Sequence, residues 1–463
     1  MAAVLPAHAD RADAFRRYAE LRAAGEVETA PHLLGPRARR HHVRNTLIED
    51  HAVRLLDTPE AVATKFGILA DSPFSFFRGT ALLYYRDHAG VDGHLPAVFC
   101  IGDVHPENFG IMPSAGGHPF FAPNDFDEAW IAPFTYDTGR GAVGFWMAAR
   151  EQGLSRKARR AVVRAFVEGY LAGLVDFAAD DSEHTHQITE DTAPAVLEKA
   201  FAKAGRARAD FLAKRIDLDA HRFLPEARIE PRNDLVAVLQ PVVDAYAASL
   251  AEAGAPVRPE GFFRVHDVAL RHGGGTASQG LARFWVLLDG PGPDAADHVI
   301  IELKMARRSA LYGLVPATTF DARTSAERIA LAHREFLVDG DPLYGAAEIE
   351  GRSFVVRERS PMKVNISVAG FGAADLIEYA DVCGRALAQT HARSESHLVD
   401  VGVEGPGAEI GILRVVQPEV FVADTLEWAE EGGERVLADH QLFCQDLERG
   451  AFDAPGGLLA AES

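Results

Sequence analysis

Residues 98–137 read VFCIGDVHPENFGIMPSAGGHPFFAPNDFDEAWIAPFTYD, and the rest of the chain is best understood outward from them. The apolar run Ala97 to Ile101 predicts a strand that stops at Gly102. Asp103 and Asn108 follow in a polar loop closed by Gly110. Gly116-Gly117 between two short apolar runs predicts a β-hairpin. Its second arm carries Asp125 and Asp127, and alternate residues of an extended chain share a face. A carboxylate, a carboxamide and two further carboxylates are thereby gathered at strand ends. Phosphoryl transfer uses such a set: one Asp orients and deprotonates the attacking hydroxyl, an Asn a few residues on binds metal, and a later Asp holds the Mg²⁺ that bridges the nucleotide phosphates. Asp103, Asn108 and Asp125 occur in that order. Loops favour Asp and Asn for conformational reasons alone, so the ordered set carries the reading and no single member does.

Composition frames it. The 463 residues are 48% hydrophobic and 25% charged, an ordinary globular balance with room for more than one core. No run reads as the roughly twenty apolar residues of a membrane span, and the N-terminus lacks the basic and apolar regions of a secretory signal. Three cysteines, Cys100, Cys383 and Cys444, without CxxC spacing, predict a reduced, cytoplasmic protein with no zinc or disulfide framework. A formal charge of −20 argues against nucleic acid or an anionic membrane as the main partner, and is as consistent with simple solubility as with a cationic small-molecule or basic-peptide acceptor. The basic run Gly35 to Arg44, GPRARRHHVR, is expected to be solvated surface. Oligomeric state leaves no signature.

Upstream, helices are expected at Ala14 to Ala24 with Asp13 as cap, at Leu47 to Leu56 and after Thr58-Pro59. The aromatics of PFSFFRGTALLYYRD read as core, and Arg78 among them needs an acidic partner if buried. Downstream, helices are expected at Thr138 to Ser155 and Arg156 to Phe177, with Asp137 as a cap or as a holder of Arg140 or the catalytic loop. Most of the seven lysines read as surface residues. Leu235 to Ala253 is a helical pattern with Pro241 as a kink or restart.

A second informative stretch begins at Phe262. FRVHDVALR and LARFWVLL are strand patterns flanking the glycine-rich HGGGTASQG, and HVIIELKMA is a third strand carrying Lys304. Such a hairpin can lay backbone N–H groups over phosphates, with Gly273, Gly274, Gly275, Ser278 and Gly280 as the cradle and Lys304 reaching a phosphate oxygen. Thr324 and Glu327 form a capping box; Glu327 is also the preferred carboxylate partner of Lys304, with Glu335 as its competitor. Strands are expected at Leu343 to Ile349 and Ser353 to Arg359. A long helix is expected at Gly372 to Ala392, ending in the packed His391, followed by a strand at Gly411 to Val416 and a helix at Ala423 to Glu448.

The chain resembles the bacterial domain of unknown function 2252 family, itself similar to the aminoglycoside phosphotransferase and protein-kinase superfamily. The resemblance rests on FFRG, GDVHPENFG, NDFDEA and PFTYDTGR, then on GTASQG, ELKMARRS, ERIALAHR, VRERSPMK and CGRALAQTHARS, spanning about Pro73 to Ser394. It implies Asp103 as catalytic base, Asn108 and Asp125 on Mg²⁺, and Lys304 on the phosphates of ATP. His105 would orient the loop or touch substrate, and Asp127 would be a second metal ligand or, as preferred, a hydrogen-bond partner of the loop. Ala277, Met305 and Pro361 depart from the family's usual glycine, glutamate and aspartate.

The order of the parts is inverted relative to ordinary kinases, because the catalytic loop precedes the nucleotide lobe. The expectation is an α+β, bilobal, kinase-like fold that is circularly permuted. Residues 1–90 would be a helical segment, 91–260 the catalytic half of a large, mainly helical lobe, 261–361 a small antiparallel nucleotide lobe, and 362–463 the part completing the large lobe. The expected activity is ATP- and Mg²⁺-dependent transfer of a phosphoryl group to a hydroxyl of a small molecule or peptide. The alternatives are a nucleotidyl (AMP) transferase, a dinuclear metallophosphoesterase and a nucleotide-binding pseudokinase.

Overall fold

The computed structural model describes residues 11–27, 30–273, 280–292, 294–315, 322–394 and 407–453. The N-terminal part is helical: α1 (Ala12–Ala23), α2 (Pro36–Asp57), α3 (Pro59–Asp71), α4 (Pro73–Gly79) and α5 (Ala81–Asp87). Pro36, Pro59 and Pro73 each open a helix, where a missing N–H forfeits no bond. Asp13, expected as a cap, lies inside the first turn because α1 starts at Ala12.

Next come β1 (Ala97–Cys100), β2 (Phe109–Pro113), β3 (Pro119–Pro123) and β4 (Trp130–Pro133). β2 and β3 form the hairpin expected from Gly116-Gly117, with Phe109 opposite Pro123 and Pro113 opposite Pro119. β1 pairs antiparallel with β4, so the polar loop after Cys100 and the segment after Pro123 are tied at both ends. Helices α6 (Thr135–Glu151) and α7 (Arg156–Asp180) follow. Then come α8 (Glu198–Ala204), α9 (Arg208–Leu212), β5 (Ile216–Asp217), β6 (Arg222–Phe223), β7 (Ile229–Pro231) and α10 (Val236–Glu252).

The remaining strands are β8 (Val265–Arg271), β9 (Arg283–Leu288), β10 (Val299–Met305), β11 (Gly345–Ile349), β12 (Arg352–Glu358) and β13 (Val364–Asn365), with α11 (Ser325–Phe336) between β10 and β11. β7 to β12 make one antiparallel sheet in the order β11-β12-β10-β9-β8-β7, and β13 instead joins β2. The sheet therefore begins before Gly261. Leu239, Val243, Tyr246 and Leu250 of α10 bury a helical stripe in the same core as Val268, Val286, Ile301 and Val356. α10 runs through Pro241 without a restart. With its preceding turn, Asn233–Glu252, it is the described helix whose length and hydropathy reach those of a membrane span, contrary to the sequence expectation.

The larger core joins α6, α7 and α12 (Ala373–Ala392) with the strands β1 to β4. α7 and α12 approach closely because small residues face each other. A Cβ on Gly169 would lie 2.4 Å from the Asp381 carbonyl oxygen, and one on Gly384 would lie 2.1 Å from that of Phe166. Helices Ala408–Val415 and Pro418–Glu448 close the chain. The first replaces the expected strand at Gly411 to Val416; a short apolar run has no period long enough to separate strand from helix, and Ile412 packs into the large core as a helical residue.

The basic run GPRARRHHVR is not a solvated face. Arg39 is 7% exposed; it donates through Nη1 and Nη2 to Asp87 at 2.7 and 2.6 Å, and its Nε donates to Asp439 at 2.8 Å. Arg44 clamps Asp446 with bonds of 2.9 and 2.8 Å. The run binds α2 to the last helix, and its charges are matched by carboxylates some 400 residues away that the local sequence does not reveal.

Candidate functional site

The loop after β1 is fastened from below. Asp137, in the first turn of α6, accepts the backbone N–H groups of Ile101 at 2.6 Å and Gly102 at 2.9 Å, so it holds the loop and not Arg140. His391 Nε2 lies 3.2 Å from Asp137, and His391 Nδ1 is 2.9 Å from the Tyr170 hydroxyl, which extends the brace to α7 and α12. Cys100 sits against this group, and burial pushes its thiol up so that it stays protonated. Gly102 has φ +79°, and a Cβ there would meet the Glu128 carbonyl oxygen at 2.1 Å. Only glycine permits both.

Asp103 is held by Arg140, whose Nε and Nη2 both donate to Oδ1, at 2.8 and 2.6 Å. Arg140 is fully buried, with Phe77 under its guanidinium at 4.2 Å. Burial raises the Asp103 pKa above its ordinary value, and Arg140 opposes that shift. The Asn108 amide donates to the Asp103 carbonyl at 2.8 Å. His105 is buried against Phe74, accepts the Glu107 N–H at Nδ1 and is kept neutral by desolvation, so it shapes the loop and does not line the cleft. Arg78 finds its acidic partner in Glu107, at 2.6 Å.

Asp125 and Asp127 do not share a strand face, as the extended reading expected. β3 ends at Pro123, and the Asp125 carboxylate accepts the Asp127 N–H at 3.3 Å in a turn that sends the two side chains apart. Asp125 faces the cleft. Asp127 is ion-paired with Lys304 across 177 residues of sequence. The expected Lys304–Glu327 pair is not formed: the Glu327 carboxylate accepts the N–H groups of Arg323 and Thr324, in the capping box that also orders α11. In the middle of that helix Arg328 donates to the carbonyls of Asp127 and Ala129, at 2.8 and 2.6 Å. Helix α11 thus grips the acidic turn through a cation, while the turn itself supplies the carboxylate for Lys304.

Against the upward push of burial, Lys304 holds the Asp127 pKa down at about 2, from an ordinary 3.8. A depressed carboxylate stabilises the fold at pH above its unfolded value, and this contribution is lost as pH falls through its folded value. Asp127→Asn is therefore expected to cost about 2 kcal/mol at pH 7. In urea unfolding, its gap to the parent protein should stay constant down to about pH 4 and close toward pH 2.

Asn108, Asp125 and Lys304 line one cavity of about 640 Å³ between the hairpin end and the sheet. Asp103 lies behind Asn108, with its side chain 12% exposed. Asn124 also faces this cavity, and its buried amide nitrogen has no partner among the described residues, a group that a ligand would satisfy. The floor is a fixed network: Glu302 accepts from Arg357 at 3.1 and 2.8 Å and from the Trp285 indole at 3.2 Å. Lys363 donates to the Asn124 carbonyl at 3.2 Å.

The most informative feature of the cavity was not read from sequence. Its lining includes twelve Arg or Lys side chains and four Asp or Glu, in a chain of net charge −20. Several come from KAGRARADFLAKR: Lys203, Arg206, Lys214 and Arg215, of which the two lysines lie in regions whose lysines were mostly expected on the surface. The density of basic residues was the available signal. Of the glycine-rich cradle, Gly273 and Gly280 border an adjoining cavity of about 330 Å³ with Arg271 and Arg283, both of which also line the main cavity. Gly274, Gly275 and Ser278 lie outside the described residues.

No curated protein and no solved structure matches the chain. One family profile does, described as an uncharacterized protein conserved in bacteria, DUF2252, over residues 56–446, from the end of α2 to the last turns of the final helix. A match over most of the length, including the acidic loops, the sheet and α11, makes this chain a member of the DUF2252 family.

Proposed function

We propose that the protein is an ATP- and Mg²⁺-dependent phosphotransferase with a circularly permuted, bilobal kinase-like fold. The observation that carries this reading is that Asp125, in the turn after the β2–β3 hairpin, and Lys304, in the six-stranded sheet, open into one cavity. A divalent cation fits the oxygen donors Asn108 Oδ1 and Asp125, hard ligands suited to Mg²⁺, while the orphaned Asn124 Nδ2, an N–H donor, would meet a phosphate oxygen. When bound, Mg²⁺ would neutralise phosphate charge. Lys304, on β10, the fourth strand in chain order of the six-stranded antiparallel sheet, and preceding the helix α11, would release Asp127 and contact phosphate oxygens. Asp103, with Oδ1 fixed by Arg140, would present Oδ2 to the acceptor hydroxyl and take its proton. Residues 229–358 would form the nucleotide lobe, and the helical remainder with its acidic loops the catalytic lobe.

The basic cavity lining supports an anionic acceptor, although the chain as a whole is acidic. With Arg78, Lys304 and Arg357 ion-paired and burial driving Lys363 toward its neutral form, the lining still carries more cations than a triphosphate with its own Mg²⁺ needs, so the acceptor is a hydroxyl compound bearing phosphate or carboxylate groups and not a cationic one. Labelled ATP and Mg²⁺ should be incubated with anionic and cationic hydroxylated metabolites, with the product identified by mass. Transfer of a phosphoryl group to anionic acceptors is the expected result. Transfer of AMP would replace the reading with a nucleotidyltransferase, and preference for cationic acceptors would overturn the charge argument. Arg206→Glu, on the exposed cavity wall, should raise the acceptor KM about tenfold and flatten its salt dependence.

A further inference from the structure

Away from the cleft, three histidines converge on the opposite side of the β5–β6 hairpin. His221 is in the hairpin turn, His266 in β8 and His298 at the start of β10, and one ring nitrogen from each lies within 4.8 Å of the others. His221 Nδ1 is 2.7 Å from His298 Nε2, and the ring centroids of all three pairs are 4.8 to 5.0 Å apart.

Each histidine is placed by a backbone irregularity. His221 has φ +52°, a left-handed conformation that a residue with a side chain rarely adopts. His266 sits in a register shift of the β8–β9 ladder between Val265 and Asp267, and such bulges re-aim a side chain. His298 ends the short turn Ala295–Asp297 and is 2% exposed.

Asp289 orients two of them. Its carboxylate lies 2.5 Å from His266 Nε2, and its backbone carbonyl lies 3.1 Å from His298 Nδ1. A carbonyl can only accept, so His298 carries its proton on Nδ1 and has a lone pair on Nε2. By the same argument His266 is protonated on Nε2 and has a lone pair on Nδ1. Arg264 holds the other Asp289 oxygen at 2.7 Å. A carboxylate or carbonyl behind each imidazole is the outer shell that metal-ligating histidines have.

From this geometry we propose that His221, His266 and His298 bind a divalent transition-metal ion, Zn²⁺ by preference, with water completing a tetrahedron. Three imidazoles suit zinc, copper or nickel and not Mg²⁺ or Ca²⁺. Zn–N bonds of about 2.0–2.1 Å require ligand nitrogens about 3.4 Å apart, which small side-chain rotations reach from the present spacing. The proton that His221 now shares with His298 moves to its other ring nitrogen, so three neutral imidazoles bind the ion without net loss of a proton. The ion would pin the β5–β6 hairpin to the sheet. That hairpin directly follows Arg215, so the site fixes one wall of the basic cavity.

The full-length protein, stripped of metal by chelator, should be titrated calorimetrically with Zn²⁺ alone. One equivalent is expected. The zinc-edge absorption spectrum should report three imidazole nitrogens, and Co²⁺ loading should give the intense visible bands of a tetrahedral site. His221→Ala, at a half-buried position in the hairpin turn, should abolish binding, and Asp289→Asn should weaken it about 10–100-fold. His272→Ala, on the same sheet but outside the cluster, should leave binding unchanged. No zinc uptake, an oxygen-only coordination shell, or undiminished uptake by His221→Ala overturns the proposal. Should a variant fail to fold, the zinc-edge spectrum of the parent protein decides alone.

Discussion

Asp125→Ala is expected to lower Mg²⁺-dependent phosphoryl transfer about 10³-fold and to leave the fold intact. Metal stabilisation of developing phosphate charge supplies several kcal/mol, and each 1.36 kcal/mol is a factor of ten in rate. Structural cost is small because the Asp125 carboxylate accepts one long bond, from Asp127 N–H at 3.3 Å, and otherwise faces the cavity. Surface changes of this kind usually stay within about 0.5 kcal/mol. Turnover measured across a Mg²⁺ series, beside a thermal melt, separates the two effects. Full activity in a well-folded Asp125→Ala protein would remove Asp125 from the metal site.

Arg140→Leu is expected to cost about 3–5 kcal/mol of stability, the largest structural effect of any single change at the site. Removing one member of a buried ion pair strands the other, and among the described residues Asp103 has no second cation in contact: His105 is 3.9 Å away and neutral. Arg140 also spans from Asp103 to the Phe77 carbonyl at 3.1 Å. The double change Asp103→Leu with Arg140→Leu should recover much of the loss, since a well-packed apolar pair often equals a buried ion pair. It should nevertheless be inactive. Stability regained without turnover would separate the scaffold role of the pair from the chemical role of Asp103. For that role burial also sets the pH dependence: with its pKa raised, the acid limb of the rate profile should lie above the ordinary carboxylate value of 3.8.

What could be read from sequence was whatever is encoded by neighbours. The Gly116-Gly117 hairpin, the helix opened by Pro59, the three strands around Lys304 and the Thr324–Glu327 capping box all rest on residues a few positions apart, and all are present. Pairings between distant segments were not legible. Nothing near Lys304 announces Asp127, and nothing near Asp103 predicts that Arg140 would face it, although Asp137 was expected to hold either Arg140 or the catalytic loop and holds the loop backbone. Glu327 had a local and a distant partner available, and the local one prevailed because a helix start leaves N–H groups that need an acceptor. The basic cavity was missed for a related reason. Its cations come from α8–α9, the sheet and the segment after β12, and only the fold sums them.

The pairing of Arg39 and Arg44 with Asp439 and Asp446 bears on how the polypeptide is made. During synthesis the second helix meets Asp87, one partner of Arg39, after 48 residues, but leaves the ribosome nearly 400 residues before Asp439 and Asp446 exist. Until then Arg44 cannot be buried without an uncompensated charge, so that part of the helix must wait in solvent. A nascent chain cut short before the last helix would keep that basic run exposed, a ready mark by which incomplete molecules differ from finished ones.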